Sequence, residues 1–345
     1  MIFRRAIEPF ISLLASIYGG LSSLERNFFM CFPFLVQRPS ARVVSIGNLS
    51  VGGTGKTPLL IELLDDPLRP AETVVLTRGY KSPWERGFYM LRGEGPHSPG
   101  LTDEALLINQ SFPRVPVFLG KNRAHTSVMA EKWFRPRLLL LDDGFQYRRL
   151  ARDIDLVLWD STMNRDAVRL LPHGRLREPP QRLALADGIV LTRCESSSSG
   201  QREFWRKWLE SFAPKIPVVE TLTVPTGWID PSGNATCLDN GPKRAVAFAA
   251  IACPEPFFRL LEKIGCAVSE TRAFRDHHVF KPAEFLPIAT IAANACAKLV
   301  CTEKDRVKID AKTAREIGLW TLRTRMTAAN GEPVCTALRR LGLLP

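Results

Sequence analysis

Short apolar runs alternate with longer amphipathic runs along this chain from residue 39 onward. The short runs are aliphatic and β-branched, and they predict strands at Val43–Ile46, Thr73–Thr77, Val115–Leu119, Leu138–Leu141, Ile154–Trp159 and Gly188–Thr192. The intervening runs predict helices at Pro58–Leu64, Asp103–Gln110 and Glu203–Phe212. Four consecutive leucines at Leu138–Leu141 are typical of a strand buried on both faces of a parallel sheet. The alternation predicts an α/β fold, a doubly wound parallel sheet with ligand sites at the carboxyl ends of its strands.

The same alternation restarts after a turn-rich stretch, Thr226–Pro242, and predicts a second, smaller α/β domain. We predict a larger core domain at residues 39–220, a linker at 221–242, the smaller α/β domain at 243–317, and a return strand with a C-terminal helix at 318–345.

Residues 1–38 form a separate, mostly apolar segment with an uncharged run from Pro9 to Leu24. The run is too short and too weakly hydrophobic to span a bilayer. It fits a helix packed on the core domain. It also fits an amphipathic helix lying in a membrane interface, with Phe10, Leu13, Leu14, Ile17 and Leu21 toward lipid and Arg4, Arg5 and Arg26 near headgroups. A second apolar patch, at residues 28–36, favours the membrane-associated helix.

The composition indicates an anionic partner and argues against disulfide bonds and a zinc site. The chain of 345 residues carries a net charge of +12, which suits nucleic acid, anionic lipid or nucleotide phosphates alike. Its eight cysteines contain no C-x-x-C pair, and its five histidines have no zinc-site spacing. We expect free thiols in a reducing compartment and no structural metal.

A glycine-rich loop, SVGGTGKTP, lies between the first predicted strand and helix and matches a phosphate-binding loop. Its glycines allow backbone N–H groups to face phosphate oxygens, so we predict nucleotide binding by Ser50, Val51, Gly52, Gly53, Thr54, Gly55, Lys56 and Thr57. Lys56 suits the β- and γ-phosphates, and the Thr57 hydroxyl suits Mg²⁺. Ser50 replaces the usual first glycine, and Pro58 is compatible with a first helical turn.

Acidic residues in two further segments are candidate site residues. LLLLDDGFQ places Asp142 and Asp143 after a buried strand, where Asp142 suits Mg²⁺; Asp143 fits either a site residue or a simple turn. In LTDEALL, Asp103 fits either a helix cap or a functional carboxylate.

Two loops add candidate residues of other types. FRDHHVF contains His277 in a segment that also fits an ordinary surface turn. LPHGRLREPP is a proline-bounded loop that presents cations to an anion.

The ordered set of motifs resembles the tetraacyldisaccharide 4'-kinases, the lipid A 4'-kinases of Gram-negative bacteria. The motifs run from about residue 40 to 310 and read NLSVGGTGKTP, TRGYKS, TDEALL, LDDGFQYRRL, RDIDLVLWD, LPHGRLREP, FAAIACPEPFF, FRDHHVF and TEKDRVK. The resemblance implies transfer of the γ-phosphoryl group of ATP, with Mg²⁺, to the 4'-hydroxyl of a tetraacyldisaccharide 1-phosphate, forming lipid IVA. It also implies a P-loop NTPase-like core domain and an enzyme at the cytoplasmic face of the inner membrane, bound to an anionic membrane surface.

The resemblance also implies roles for individual residues. Asp103 corresponds to the catalytic carboxylate, His277 to its partner, Lys56 to the phosphate-loop lysine, and Arg123 to an arginine near the transferring phosphate. The motifs that line the substrate site contribute Asn48, Arg78, Gln146, Arg177 and Glu178. The chain departs from the family pattern at Thr102, usually glycine, at Tyr147, often histidine, and at Lys81.

Two other protein classes share a basic charge and a phosphate loop. A nucleic-acid-dependent P-loop ATPase is the alternative function, but its interleaved basic and aromatic stretches do not occur, so we expect no nucleic-acid partner. A GTPase requires N-K-x-D, which is absent. No obligate protein partner is evident. Because Asp103 falls in the predicted core domain and His277 in the smaller one, we expect domain closure to bring them together.

Overall fold

The computed structural model describes residues 2–93 and 100–344, without the side chains of residues 2–11, 13, 22, 23 and 30. Its helices lie close to the amphipathic runs of the sequence. They are α1 Ile2–Cys31, α2 Lys56–Asp65, α3 Asp103–Ser111, α4 Arg123–Phe134, α5 Ser199–Phe212, α6 Glu255–Lys263, α7 Pro282–Asn294, α8 Glu303–Arg306, α9 Ala311–Glu316 and α10 Val334–Arg340.

Each predicted strand of the core domain is present, and the structure adds others. They are β1 Arg42–Asn48, β2 Thr73–Thr77, β3 Tyr89–Leu91, β4 Val117–Leu119, β5 Leu138–Asp142, β6 Ile154–Asp160, β7 Gly188–Thr192, β8 Val218–Ile229, β9 Ala235–Thr236, β10 Arg244–Ala249, β11 Ala267–Ala273, β12 Lys298–Thr302 and β13 Leu319–Ala328. The predicted α/β class is therefore confirmed.

The chain divides into two compact units, the first made of Met1–Gly100, Phe112–Leu222 and Met326–Pro345. Its strands are arranged in the order β8-β7-β6-β1-β5-β2-β4-β3, all parallel except β3, which is antiparallel to β4. Every residue of β5 is buried, as the leucine run predicts. This is the predicted doubly wound sheet, and the strand order places β1 between β5 and β6.

The second unit consists of Leu101–Ser111 and Thr223–Arg325. Its parallel strands follow the order β11-β10-β12-β13. Two apolar clusters form its core, one around Phe248, Phe280 and Phe285 and the other around Trp228, Phe257 and Leu261. This unit is the smaller α/β domain that the second alternation predicts.

The unit boundaries differ from the predicted ones, and two of the differences concern α3 and the predicted linker. Helix α3 belongs to the second unit, where it packs against α8, although the strands before and after it in sequence belong to the first. Segment 221–242 contains the end of β8 and the short strand β9, which pair antiparallel, and is therefore not a simple linker. The predicted boundaries followed the order of the chain. Packing, and not proximity in sequence, decides which core a helix joins, so the observed boundaries differ.

Helix α1 contacts the first unit through small residues and leaves large apolar ones in solvent. Ala15 and Gly19 are buried, and a Cβ on Gly19 would lie 2.9 Å from Leu170 Cδ1. The exposed apolar side chains of this region are Leu14, Ile17, Tyr18, Leu21, Leu24, Phe28, Phe32, Phe34 and Leu35. Four of the predicted interfacial residues, Arg4, Arg5, Phe10 and Leu13, lie outside the described side chains. Within the described chain, no helix combines the length and apolarity needed to cross a bilayer.

Candidate active site

The phosphate loop connects β1 to α2 with the backbone geometry that the glycines allow. Gly52 and Gly55 have φ of 107° and 91°, in the left-handed region where side chains are strained. Gly55 is the residue directly before α2, so the loop ends at a helix N-terminus with its unpaired N–H groups. The local geometry is therefore suited to an anion.

The LPHGRLREP segment is hydrogen-bonded to this loop on both sides of Ser50. The Val51 N–H donates to Arg175 O at 2.8 Å, and the Arg177 N–H donates to Leu49 O at 2.7 Å. Ser50 itself forms an antiparallel bridge with Leu176. Because a paired residue of this kind has no requirement for glycine, serine is accommodated where the common motif has glycine.

The Arg175 guanidinium occupies the space that a side chain at position 52 would need. Its guanidinium donates to Val51 O at 2.9 Å, and a Cβ on Gly52 would lie 2.2 Å from the same nitrogen. The predicted site set does not include Arg175. Its position between prolines in a cation-rich loop is the only sequence signal for it.

Lys56 lies in a polar network with two predicted site residues, Asn48 and Arg177, and with Asp143, whose role the sequence left open. Its ammonium is 3.1 Å from Asn48 Oδ1 and 3.4 Å from Asp143 Oδ1. Arg177 donates to both Asp143 oxygens, at 2.9 and 2.8 Å. Burial acts to raise the pKa of Asp143, but the charges and hydrogen bonds of Lys56 and Arg177 outweigh it and hold that pKa well below its ordinary value. Asp143 is thus more than a turn residue.

Asn48 connects the network to the phosphate loop. Its fully buried side chain donates to Ser50 O at 2.8 Å. Gln146 Nε2 donates to Asn48 O at 2.8 Å, and Arg177 contacts both Asn48 oxygens. Asn48, Gln146 and Arg177 therefore fix the end of β1, where the loop begins.

Asp142 and Thr57 carry oxygens of the kind that a divalent cation binds. Asp142 is buried and accepts a hydrogen bond from Thr77 Oγ1 at 3.1 Å. Burial raises the pKa of Asp142, and the charge of Lys56 opposes this. Mg²⁺ prefers carboxylate and hydroxyl oxygens, and a cation would offset the cost of burying this charge. The donor set fits the ion.

Arg123 is buried against Tyr147, a position at which the chain departs from the family pattern. Its guanidinium carbon lies 4.0 Å from the centre of the Tyr147 ring. The Tyr147 hydroxyl accepts from the Ala124 N–H at 3.0 Å and donates to Asn122 Oδ1 at 3.1 Å. Burial lowers the pKa of Arg123, and the ring face partly compensates the buried cation. Sequence reasoning gave no role to Tyr147, and its contacts link the start of α4 to the Asp142–Asp143 segment.

Arg78 and Glu178 form ion pairs with residues other than those of the Lys56 network. Arg78 forms an ion pair with Glu85 at 2.8 Å and lies beside the exposed Tyr80 ring. Glu178 is buried and forms ion pairs with Arg148 at 2.6 Å and Arg182 at 3.2 Å. Glu178 is therefore part of a buried ion-pair cluster.

A second group of functional candidates lies wholly within the second unit. Asp103 begins α3, and its Oδ1 is 2.7 Å from His277 Nδ1. The helix-cap role falls to Thr102, whose hydroxyl accepts from the Ala105 N–H at 3.3 Å, so Asp103 is available for another purpose. His277 itself has a φ of 62°, in the left-handed region. The expectation that two domains must close to form this pair is wrong, because both residues belong to one unit.

The surroundings of the pair favour its charged form. Burial acts to raise the pKa of Asp103, but the His277 hydrogen bond and the Lys304 charge outweigh it and hold that pKa well below its ordinary value. The hydrogen bond to Asp103 raises the pKa of His277, against burial. Asp103 Oδ2 is buried and has no hydrogen-bond partner among the described residues. One oxygen is thus hydrogen-bonded to His277, while the other makes no hydrogen bond among the described residues.

Two lysines complete this cluster, and the predicted site set includes neither. Lys304 Nζ is 2.6 Å from Glu104 Oε1 and 3.5 Å from Asp103 Oδ2, and Lys308 Nζ is 3.9 Å from that same Asp103 oxygen. The TEKDRVK motif was the only signal for them, and it carried no role.

Comparison with known proteins places this chain among relatives over nearly all its length. The family model for tetraacyldisaccharide-1-P 4'-kinase matches residues 7–341. A tetraacyldisaccharide 4'-kinase of Anaeromyxobacter dehalogenans strain 2CP-C is 35% identical over 289 residues, covering 81% of this chain and 76% of that protein. One of Syntrophus aciditrophicus strain SB is 35% identical over 336 residues, covering 89% and 86%.

A solved structure agrees with these sequence relatives. The crystal structure of the "apo" form of LpxK from Aquifex aeolicus, in complex with ATP, is 26% identical and has a TM-score of 0.69. The match covers 98% of this chain and 99% of that one. The fold, the ordered motifs and the relatives agree: this chain belongs to the tetraacyldisaccharide-1-P 4'-kinase family.

Proposed function

We propose that this protein is an ATP-dependent kinase that phosphorylates the 4'-hydroxyl of a tetraacyldisaccharide 1-phosphate, forming lipid IVA in lipid A biosynthesis. The observation that carries the proposal is the pairing of the buried Asp103 with the half-buried His277, in a chain that also carries a glycine-rich phosphate loop. A nucleotide loop alone suits many enzymes. A positioned carboxylate suits transfer to a hydroxyl.

Asp103 is the proton acceptor in this proposal, and His277 positions it. The hydroxyl oxygen of the acceptor forms a bond to the γ-phosphorus as the bond from that phosphorus to the bridging β–γ oxygen breaks, and ADP leaves with the electron pair. The hydroxyl proton passes to Asp103 Oδ2, while His277 Nδ1–H remains donated to Oδ1. A carboxylate of low pKa is adequate because the hydroxyl loses its proton late in a loose transition state.

The phosphate loop holds the phosphates of ATP in this proposal. The backbone from Ser50 to Gly55 supplies N–H donors, and Lys56 turns from Asp143 and Asn48 toward the phosphates. Thr57 and Asp142 would hold Mg²⁺, which would supply positive charge to neutralise the phosphates. Arg123, held on the Tyr147 ring, adds a fixed positive charge for the transferring phosphoryl group.

The five residues proposed for substrate binding divide into three kinds by their contacts. Asn48, Gln146 and Arg177 support the loop and Lys56, so their effect on the substrate passes through the nucleotide site. Arg78 is 37% exposed and is the member suited to the anionic acceptor. Glu178 keeps the arginines around it in place.

The exposed apolar face of α1 and of residues 32–35 supports binding at a membrane surface. Leu21, Leu24 and Phe34 are large apolar side chains in solvent, and the net charge of +12 suits anionic lipid. The acceptor carries four acyl chains and resides in a bilayer. The enzyme therefore works as a peripheral protein at the cytoplasmic face of the inner membrane.

The test of this function is incubation with γ-labelled ATP, Mg²⁺ and the disaccharide 1-phosphate. We expect the label to appear on the lipid. Appearance of the label only in inorganic phosphate, with hydrolysis stimulated by nucleic acid, would instead support the P-loop ATPase alternative.

A further inference from the structure

Lys304 is a half-buried cation that the proposed mechanism leaves without a role. Its Nζ lies 2.6 Å from Glu104 Oε1 and 3.5 Å from Asp103 Oδ2, so it faces both carboxylates at the start of α3. Glu104 is thus held in a close ion pair, while the distance to Asp103 is that of a charge interaction without a hydrogen bond.

The backbone that carries Lys304 is fixed by the neighbouring residues. Thr302 Oγ1 accepts from the Asp305 N–H at 3.1 Å and donates to Asp305 Oδ2 at 2.7 Å. The Asp305 side chain is fully buried and accepts from the Ala250 N–H at 3.2 and 3.1 Å. The position of Lys304 is therefore set by the turn from β12 into α8.

The two lysines of α8 and the following turn serve different carboxylates. Lys308 Nζ is 2.7 Å from Asp305 Oδ1 and 3.9 Å from Asp103 Oδ2. Its charge is therefore balanced mainly by Asp305. Lys304 is left as the cation that balances the adjacent Asp103 and Glu104, which would otherwise repel each other in a buried setting.

We propose that Lys304 is a positioning residue for the base: it holds Glu104 in an ion pair and keeps Asp103 ionised through its charge, while leaving Oδ2 able to accept the substrate proton. This inference rests on the proposed function, in which Asp103 is the base. Burial raises the pKa of Glu104, and the carboxylates of Glu104 and Asp103 outweigh burial in raising the pKa of Lys304. The raised pKa of Lys304 agrees with a lysine that stays charged in this cluster.

The charged groups around Asp103 determine what removal of Lys304 would do. His277, Glu104, Lys304 and Lys308 face Asp103, and Asp276 lies 3.6 Å from His277 Nε2. The charge of Lys304 lowers the pKa of Asp103, so loss of this cation raises that pKa. Protonation of Asp103 then inactivates the enzyme at a higher pH than in the wild type.

The experiment compares pH–rate profiles of the full-length protein with Lys304 changed to Met, Gln or Arg. For Lys304→Met and Lys304→Gln, we expect the acid limb of kcat/KM for the lipid acceptor to shift upward by about one pH unit. Lys304→Gln removes the charge and keeps a polar side chain with a hydrogen-bond donor, so it keeps the test available if Lys304→Met does not fold. Lys304→Arg should return the acid limb toward the wild-type position.

Lys312→Met is the matched control, because this lysine of the second unit is 86% exposed and pairs only loosely with Glu316, at 3.9 Å. An unshifted acid limb in both neutral Lys304 variants, with reduced activity at every pH, would overturn the proposal and leave a structural role. The proposed base is tested separately: if Asp103→Asn retained normal turnover, the base assignment itself would fail, whatever Lys304 does.

Discussion

His277 Nδ1 lies 2.7 Å from Asp103 Oδ1, although the two residues are 174 positions apart in the sequence. Both belong to the second compact unit, so the pair is formed within one folded unit. The phosphate loop belongs to the first unit. A substitution at the residues proposed for nucleotide binding can therefore be made without changing those proposed for proton transfer, and the reverse also holds.

His277→Asn should lower kcat on the order of 100-fold and move its acid limb to higher pH. The hydrogen bond from His277 lowers the pKa of Asp103, so removing it raises that pKa. Rate profiles that run from the lowest pH at which the protein stays folded up to pH 9 provide the measurement. A variant with wild-type rates across this range would show that His277 does not position the base.

The same pair should contribute stability that depends on pH. The pKa of His277 is raised in the folded protein above its ordinary 6.5, so the contribution is fully present below pH 6.5 and is lost as pH rises through the raised value. The difference in Tm between the wild type and His277→Asn should therefore be larger at pH 6 than at pH 9. An equal difference at both pH values would contradict a charged pair.

Tyr147→Leu should lower kcat/KM for ATP about fivefold, because it removes the ring beneath the Arg123 guanidinium and a cation–π contact is worth about 1 kcal/mol. Tyr147→Phe keeps the ring and loses the hydroxyl contacts to Ala124 and Asn122, so it should retain most of the activity. Steady-state kinetics of the two variants provide the comparison. Equal losses in both would assign the effect to the hydroxyl, and no loss in either would remove Tyr147 from the account.

Gly52→Ala should weaken ATP binding at least tenfold. The new Cβ would lie 2.2 Å from an Arg175 nitrogen, in a backbone conformation with φ of 107°. Gly200→Ala is the control, because its Cβ would meet nothing within 4 Å. Calorimetric titration with ATP distinguishes them; unaltered affinity in Gly52→Ala would contradict the proposed nucleotide loop.

Leu21→Glu combined with Leu24→Glu should release the protein from vesicles that contain anionic lipid. Leu24 is 65% exposed on the apolar face of α1. Leu68→Glu is the matched control, since Leu68 is equally exposed at 65% in the same unit but lies outside α1. Cosedimentation with vesicles measures the release, and retention of the double variant at the wild-type level would refute the interfacial helix.

The sequence predicted the elements better than the contacts between them. The leucine run of β5 and the glycine-rich turn into α2 are local patterns, and both are present as predicted. Strand β3 was missed because it has three residues and pairs antiparallel at the end of a parallel sheet. The placement of α3 in the second unit depends on packing against α8, about 200 residues away, for which a local pattern carries no signal.

In the candidate site, too, contiguous motifs predicted residues well, whereas contacts between residues distant in sequence were not predicted from local patterns. Lys56 and Thr57 follow from a contiguous motif, whereas the pairing of Asp103 with His277 was implied by family resemblance. Lys304 and Tyr147 were missed because their roles arise from the side chains they face in the fold. Glu178 was expected to face substrate, and its ion pairs with Arg148 and Arg182 became visible only in three dimensions.

The most direct test of the central claim measures lipid phosphorylation and ATP affinity together in Asp103→Asn. This variant keeps the size of the side chain and removes the carboxylate that accepts the proton. We predict that turnover of the disaccharide 1-phosphate falls by about 10² to 10⁴-fold while the Kd for ATP stays near the wild-type value. Near-normal transfer of label to the lipid by Asp103→Asn would contradict the account.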